Sequence, residues 1–181
     1  MNYQDIYAET IDKLKNNQRP LVKLTPILIE ELKVIWQSAL VTESIDETAL
    51  KKILCILDNS QNMTSSFNEL FFSSLDKVNN YEIIIYLLSA SQKHVVGEAL
   101  KSGQMIPINY FEHLKKLLKS KNPEVLEWTL RTIESLGPLS LRLKNEVRQV
   151  KPGFFSRINQ HQKASYQIIE LLEKQWERML L

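Results

Sequence analysis

The sequence predicts an all-α protein built as a short stack of antiparallel helical hairpins. Three observations carry that reading. Apolar residues recur at three- and four-residue spacing along most of the 181-residue chain. Helix-opening caps stand before many of these stretches. Glycine and proline number only 4 and 6, whereas an all-β fold needs many turns and usually carries more of both.

The elements follow in order. A first helix spans roughly 2–16, with Ile6, Tyr7, Ile11 and Leu14 on one side, and Arg19-Pro20 closes the stretch that ends it. Thr25-Pro26 supplies an N-cap and a first-turn proline for a helix to about Leu40. Its apolar set is Ile27, Leu28, Leu32, Ile35, Trp36 and Leu40. Ser44 to Glu47 and Ser66 to Glu69 both have the form of a capping box, opening helices to about Asp58 and Val78. Asn80 caps a longer segment, 81–102, that ends at Gly103. Its run Ile83–Leu88 is apolar all round and rich in β-branched residues. It is the stretch closest to a strand in character, but Ala90, Val95, Val96, Ala99 and Leu100 continue a helical stripe. Gly97 marks a close helix contact or a kink within it.

Helices at 107–120 and 123–136 come next, the second capped by Asn122-Pro123 and stopped by Gly137-Pro138. A short helix at 139–150 carries Leu139, Leu143, Val147 and Val150, and Lys151-Pro152-Gly153 breaks it. A last helix covers roughly 155–180. Its apolar residues Ile168, Ile169, Leu171, Leu172, Trp176, Met179 and Leu180 exceed what a cap on a short stack needs. They either cover the last hairpin or form the seam of a homodimer.

Size points to a single all-helical domain over 1–181. Within it we read a capping helix at 1–20, hairpin repeats over 25–150 and a capping helix at 154–181. Apolar residues at 44% and charged residues at 24% are ordinary for a globular protein. The one cysteine, Cys55, cannot form an intramolecular disulfide, and the start lacks the features of a signal peptide. No apolar run approaches a membrane span, so the expectation is a cytoplasmic protein with no membrane partner. The net charge of +2 is unevenly spread. Residues 1–100 carry 9 Lys/Arg against 13 Asp/Glu, residues 101–163 carry 12 against 5, and residues 164–181 carry 2 against 3.

An internal repeat underlies the hairpin pattern. A shift of 42 residues places Asn122-Pro123-Glu124-Val125 on Asn80-Tyr81-Glu82-Ile83. The same shift places Leu114 on Phe72, Leu117 on Leu75, Leu126 on Ile84, Trp128 on Tyr86 and Leu130 on Leu88. Two-helix repeats of about 40 residues belong to the HEAT and armadillo class. Tyr110 to Pro138 resembles a HEAT unit, with Asn122-Pro123 at the inter-helix turn and Leu136-Gly137 at the end of the second helix. It departs from that family at Leu126, Glu127, Trp128 and Thr129, where an Arg and small Ala positions are common. The resemblance implies a right-handed HEAT-like α-solenoid closed by a long C-terminal helix; the alternative is an irregular helical bundle. Trp128, on the best-matching helix, is expected to be buried.

Chemistry-bearing motifs are missing from the sequence. The three histidines, His94, His113 and His161, stand at no metal-ligand spacing from one another or from Cys55. There is no Gly-rich phosphate loop and no Gly-x-Ser-x-Gly elbow. No catalytic residue, cofactor or metal is assigned, and catalysis is not the expectation. The first expectation is a protein partner held in a groove formed by second helices, with Glu124, Glu127, Trp128, Arg131 and Glu134 as its residues. The second is nucleic-acid backbone bound by a basic stripe in 115–157. Lys144, Arg148 and Lys151 share one helix face, Lys115 and Lys119 share another, and the helices bearing them would lie side by side. Lys116, Lys121 and Arg157 stand near them in sequence, and Phe154 and Phe155 follow the stripe rather than interleave with it. A solvated helix surface explains the same residues.

Overall fold

Three-four apolar spacing does produce helices throughout. A computed structural model describes residues 2–41, 44–153 and 159–179, and 78% of them are helical, with no strand among them. One isolated parallel bridge joins Val22 to Ser60. The chain divides into two compact units, Met1–Met105 and Ile106–Leu181.

The first unit contains α1 (Tyr3–Lys15), α2 (Pro26–Val41), α3 (Glu47–Asp58), α4 (Asn68–Lys77), α5 (Tyr81–Ser91) and α6 (Glu98–Ser102). Asn2 caps α1 in a reciprocal box with Asp5, and Thr25 Oγ1 accepts from the Leu28 amide at the start of α2. The two boxes expected from sequence, at Ser44 and Ser66, are displaced. The cap of α3 is Asp46, which accepts from the Ala49 amide. Thr64 caps a 3₁₀ turn, Ser65–Phe67, that leads into α4. The Ile83–Leu88 run is helical, inside α5. A π turn at Gln92–Gly97 follows it and joins α5 to α6, so the expected helix 81–102 is continuous but widens in its middle. A Cβ on Gly97 would stand 3.2 Å from Met63 Sδ and 3.3 Å from the Gln92 carbonyl oxygen. The glycine therefore marks a close approach as well as the end of the π turn.

The core of this unit gathers where α3 packs on α2 and α5, and α4 on α2 and α5. Trp36 is fully buried, stacked on Phe67 with centroids 5.9 Å apart and edge-on to Phe71 at 5.0 Å. Its indole N–H donates to Ser74 Oγ at 2.8 Å, which satisfies both buried polar groups. Ile27, expected inward, is 83% exposed, because the inward stripe of α2 runs through Leu28, Leu32, Trp36 and Ala39. Of the α1 set, Ile6, Tyr7 and Ile11 are half-buried and Leu14 is exposed.

The second unit contains α7 (Ile108–Leu118), α8 (Pro123–Ser135), a 3₁₀ stretch at Gly137–Leu143, α9 (Lys144–Gln149) and α10 (Gln160–Met179). The Asn122 side chain accepts from the Glu124 and Val125 amides, and Pro123 takes the first-turn position. Gly137 has φ +57°, which allows α8 to stop where the sequence places the end. α10 lies against α8 and buries Ile168, Ile169, Leu172 and Trp176 in this core, so most of its apolar stripe is used inside the unit. Leu171 and Met179 stay exposed, and Leu180 lies outside the described residues. Trp176 repeats the device of the first unit, its indole N–H donating to buried Ser140 Oγ at 2.8 Å.

The hairpins α4–α5 and α7–α8 correspond under the 42-residue shift. Phe72 and Leu114 are both buried, as are Leu88 and Leu130, while Leu75 and Leu117 are both half-buried. Tyr86 is exposed and Trp128 half-buried, so both lie off the core. Trp128 is therefore not the buried anchor the sequence suggests; it projects beside the face that holds Val125, Thr129 and Ile133.

Candidate functional site

His94 and Cys55 are held within the fold. His94 is fully buried, and Cys55 is a half-buried thiol that burial, then Asp58, push above the ordinary range. Among the described residues no group of three or more His, Cys, Asp or Glu is placed to hold a metal ion. No helix among them is long and apolar enough to cross a membrane.

The expected groove on α8 is largely occupied. Glu127 is 8% exposed. Its carboxylate accepts from Arg131 Nε at 2.8 Å and Nη2 at 2.6 Å, and meets His161 Nδ1 of α10 at 2.8 Å. α10 thus meets the face that the groove requires at Glu127, through His161, while Arg131 pairs with Glu127 within α8. Glu124, Trp128 and Glu134 remain half-buried beside it.

The basic stripe does assemble in part, since α7 touches α9. Its charges are mostly answered. Lys115 pairs with Glu112 at 3.0 Å and with Glu146 of α9 at 3.6 Å. Arg148 pairs with Glu173 of α10 at 3.2 Å, and Lys151 pairs with Glu173 at 2.8 Å and also with Glu170. Lys151 also sits over the Tyr166 ring. The Glu170 and Glu173 carboxylates hold the Lys151 ammonium above its ordinary range. Lys119 and Lys144 carry no ion pair among the described residues. Phe154, Phe155 and Arg157 lie outside the described residues.

A surface that the sequence reading did not single out stands on α2. Ile27, Val34 and Val41 are 83%, 61% and 80% exposed on a helix whose other side forms core. They recur every seven residues, so each lies only about 20° around the helix from the last. The β-branched side chains make a row about 21 Å long, fourteen residues at 1.5 Å each. Val41, at its C-terminal end, also lines a groove of about 420 Å³ between α2 and α4. Buried Leu40 and Leu70 belong to that groove, with Lys33, Lys77 and Glu69 around it. The signal was legible as an i, i+7, i+14 recurrence, which the assignment of Ile27 to the core obscured.

No protein-family model, curated protein or solved structure matches the chain.

Proposed function

We propose that this chain is a non-catalytic interaction protein, HEAT-like in its hairpins, that holds another protein against the outer face of α2. The observation that carries this reading is the row Ile27, Val34 and Val41, ending in the α2–α4 groove. β-branched residues at seven-residue intervals have the spacing of one coiled-coil position, so the face suits an amphipathic partner helix. Burying each of these side chains contributes about 1.5–3 kcal/mol relative to leaving it in water. Single exposed apolar residues need no explanation, but an aligned row on one helix does. The reading places the protein in the cytoplasm, where a lone thiol such as Cys55 needs no partner. Nucleic-acid binding is the weaker alternative, because Lys115, Arg148 and Lys151 are held by carboxylates.

The test compares the wild-type chain with a variant carrying Ile27→Ser, Val34→Ser and Val41→Ser. These exposed sites should each shift stability by no more than about 0.5 kcal/mol. The expected result is a stoichiometric protein complex, isolated from native extract with the wild type, that the equally stable variant fails to form. A complex that the variant retains, or a wild-type chain that only self-associates, would overturn the proposal.

A further inference from the structure

The loop at 59–64 is held from two sides. On one side the Val22 amide donates to the Asn59 carbonyl at 3.1 Å and the Gln61 amide to the Val22 carbonyl at 2.7 Å. The Asn62 side chain accepts from the Leu24 amide at 2.9 Å and donates to the Leu24 carbonyl at 3.1 Å. The segment 21–24 is thereby strapped to the loop. On the other side the π turn supplies Lys93, which donates to the Ser60 carbonyl, and His94, which is fully buried at the centre. π turns are rare and occur often at functional positions.

The hydrogen bonds of His94 fix its proton. Nδ1 stands 3.2 Å from the Thr64 amide, which can only donate, so Nδ1 is bare. Nε2 stands 3.0 Å from the Leu57 carbonyl, which can only accept, so Nε2 carries the hydrogen. Ser60 Oγ lies 3.2 Å from Nε2 and itself donates to the Leu57 carbonyl of α3 and the Asn62 carbonyl of the loop. The imidazole is therefore neutral, with one tautomer allowed. A second proton on Nδ1 would point at the Thr64 N–H, setting donor against donor. Thr64 caps the turn into α4, so its amide sits at a junction of the unit.

We propose that His94 is an acid-sensitive latch: a second proton on its ring releases the 59–64 loop and the 21–24 strap while the surrounding helices stay folded. The groups facing the ring are few. Lys93 neighbours it on the π turn, and Asp58 lies at the end of α3, where it accepts from Ser89. The 3₁₀ turn and α4 present Phe67 and Phe71, ring to ring at 6.4 and 6.5 Å, with no charge. Burial holds His94 below the ordinary histidine range; the hydrogen bond to the Leu57 carbonyl opposes this, the Lys93 charge adds to it, and the Thr64 contact and Asp58 oppose it. The sign follows. The closed latch binds no proton at His94, and the open one titrates as an ordinary histidine near pH 6.5. Closure is complete above about pH 6.5 and weakens as pH falls below it.

Amide hydrogen exchange, corrected for intrinsic rates, tests the latch on the full chain between pH 7.5 and 5.5. We expect protection at Val22, Leu24, Gln61 and Thr64 to fall about tenfold, the ratio set by one pH unit below the open-state value. Amides in the middle of α3 and α5 should change far less. In His94→Gln, which cannot take up the proton, the loop's protection should not depend on pH. Loop protection that holds constant in the wild type would overturn the proposal. So would loop and core amides losing protection together, or a pH dependence that survives in His94→Gln. Should that variant fail to fold, the wild-type profile decides alone.

Discussion

Two tryptophans, Trp36 and Trp176, organise the two cores, and each is fully buried with its indole N–H on a buried serine. A large aromatic and a satisfied donor together make these the most sensitive positions. Trp176→Ala should cost about 3–5 kcal/mol, since it removes the largest side chain of its core and the donor to Ser140, which keeps only its bond to the Gly137 carbonyl. Trp128→Ala should cost only about 1–2 kcal/mol, because its ring is half-buried. Denaturant titration of both variants checks the order; equal costs, or a reversal, would contradict the burial described. Sequence pattern alone cannot separate these two. Both lie on apolar three-four stripes, and what differs is that α10 turns Trp176 into the core while α8 turns Trp128 off it. The His94 network is illegible for a similar reason. Its partners stand 30 to 37 residues away, and no local period records such contacts.

At the scale of elements, helix existence was easy to read and helix starts were harder. The caps Asn80 and Asn122 both perform as such, because an Asn before an apolar period has few other uses, whereas Asn2, read as part of the first helix, turns out to cap it. Ser44 and Ser66 matched the capping pattern, but Asp46 and Thr64 offered competing oxygens within two residues, and backbone geometry chose them. Asp46→Ala and Asn122→Ala should each cost about 1 kcal/mol, read by thermal melts. An Asp46→Ala variant as stable as the wild type would return the cap of α3 to Ser44. The π turn at Gln92–Gly97 left no trace in the apolar period, which runs through it unbroken. Its cause lies in tertiary structure, where His94 and Lys93 both reach the 59–64 loop.

On the scale of the whole molecule, the basic back half reads differently once folded. A run of like charge in sequence becomes alternating charge in space when Glu146, Glu170 and Glu173 arrive from other helices. Ion pairs of this exposed kind contribute about 0–1 kcal/mol each, but they leave fewer cations free for phosphate. An exposed apolar row lies on α2. The most direct measurement is site-specific photo-crosslinking in native extract, with the photoreactive residue placed at Val34 in one chain and at Arg148 in another. The function proposed here predicts a discrete protein adduct from position 34 and none of comparable yield from position 148. A nucleic-acid adduct concentrated at position 148, with position 34 unreacted, would contradict it.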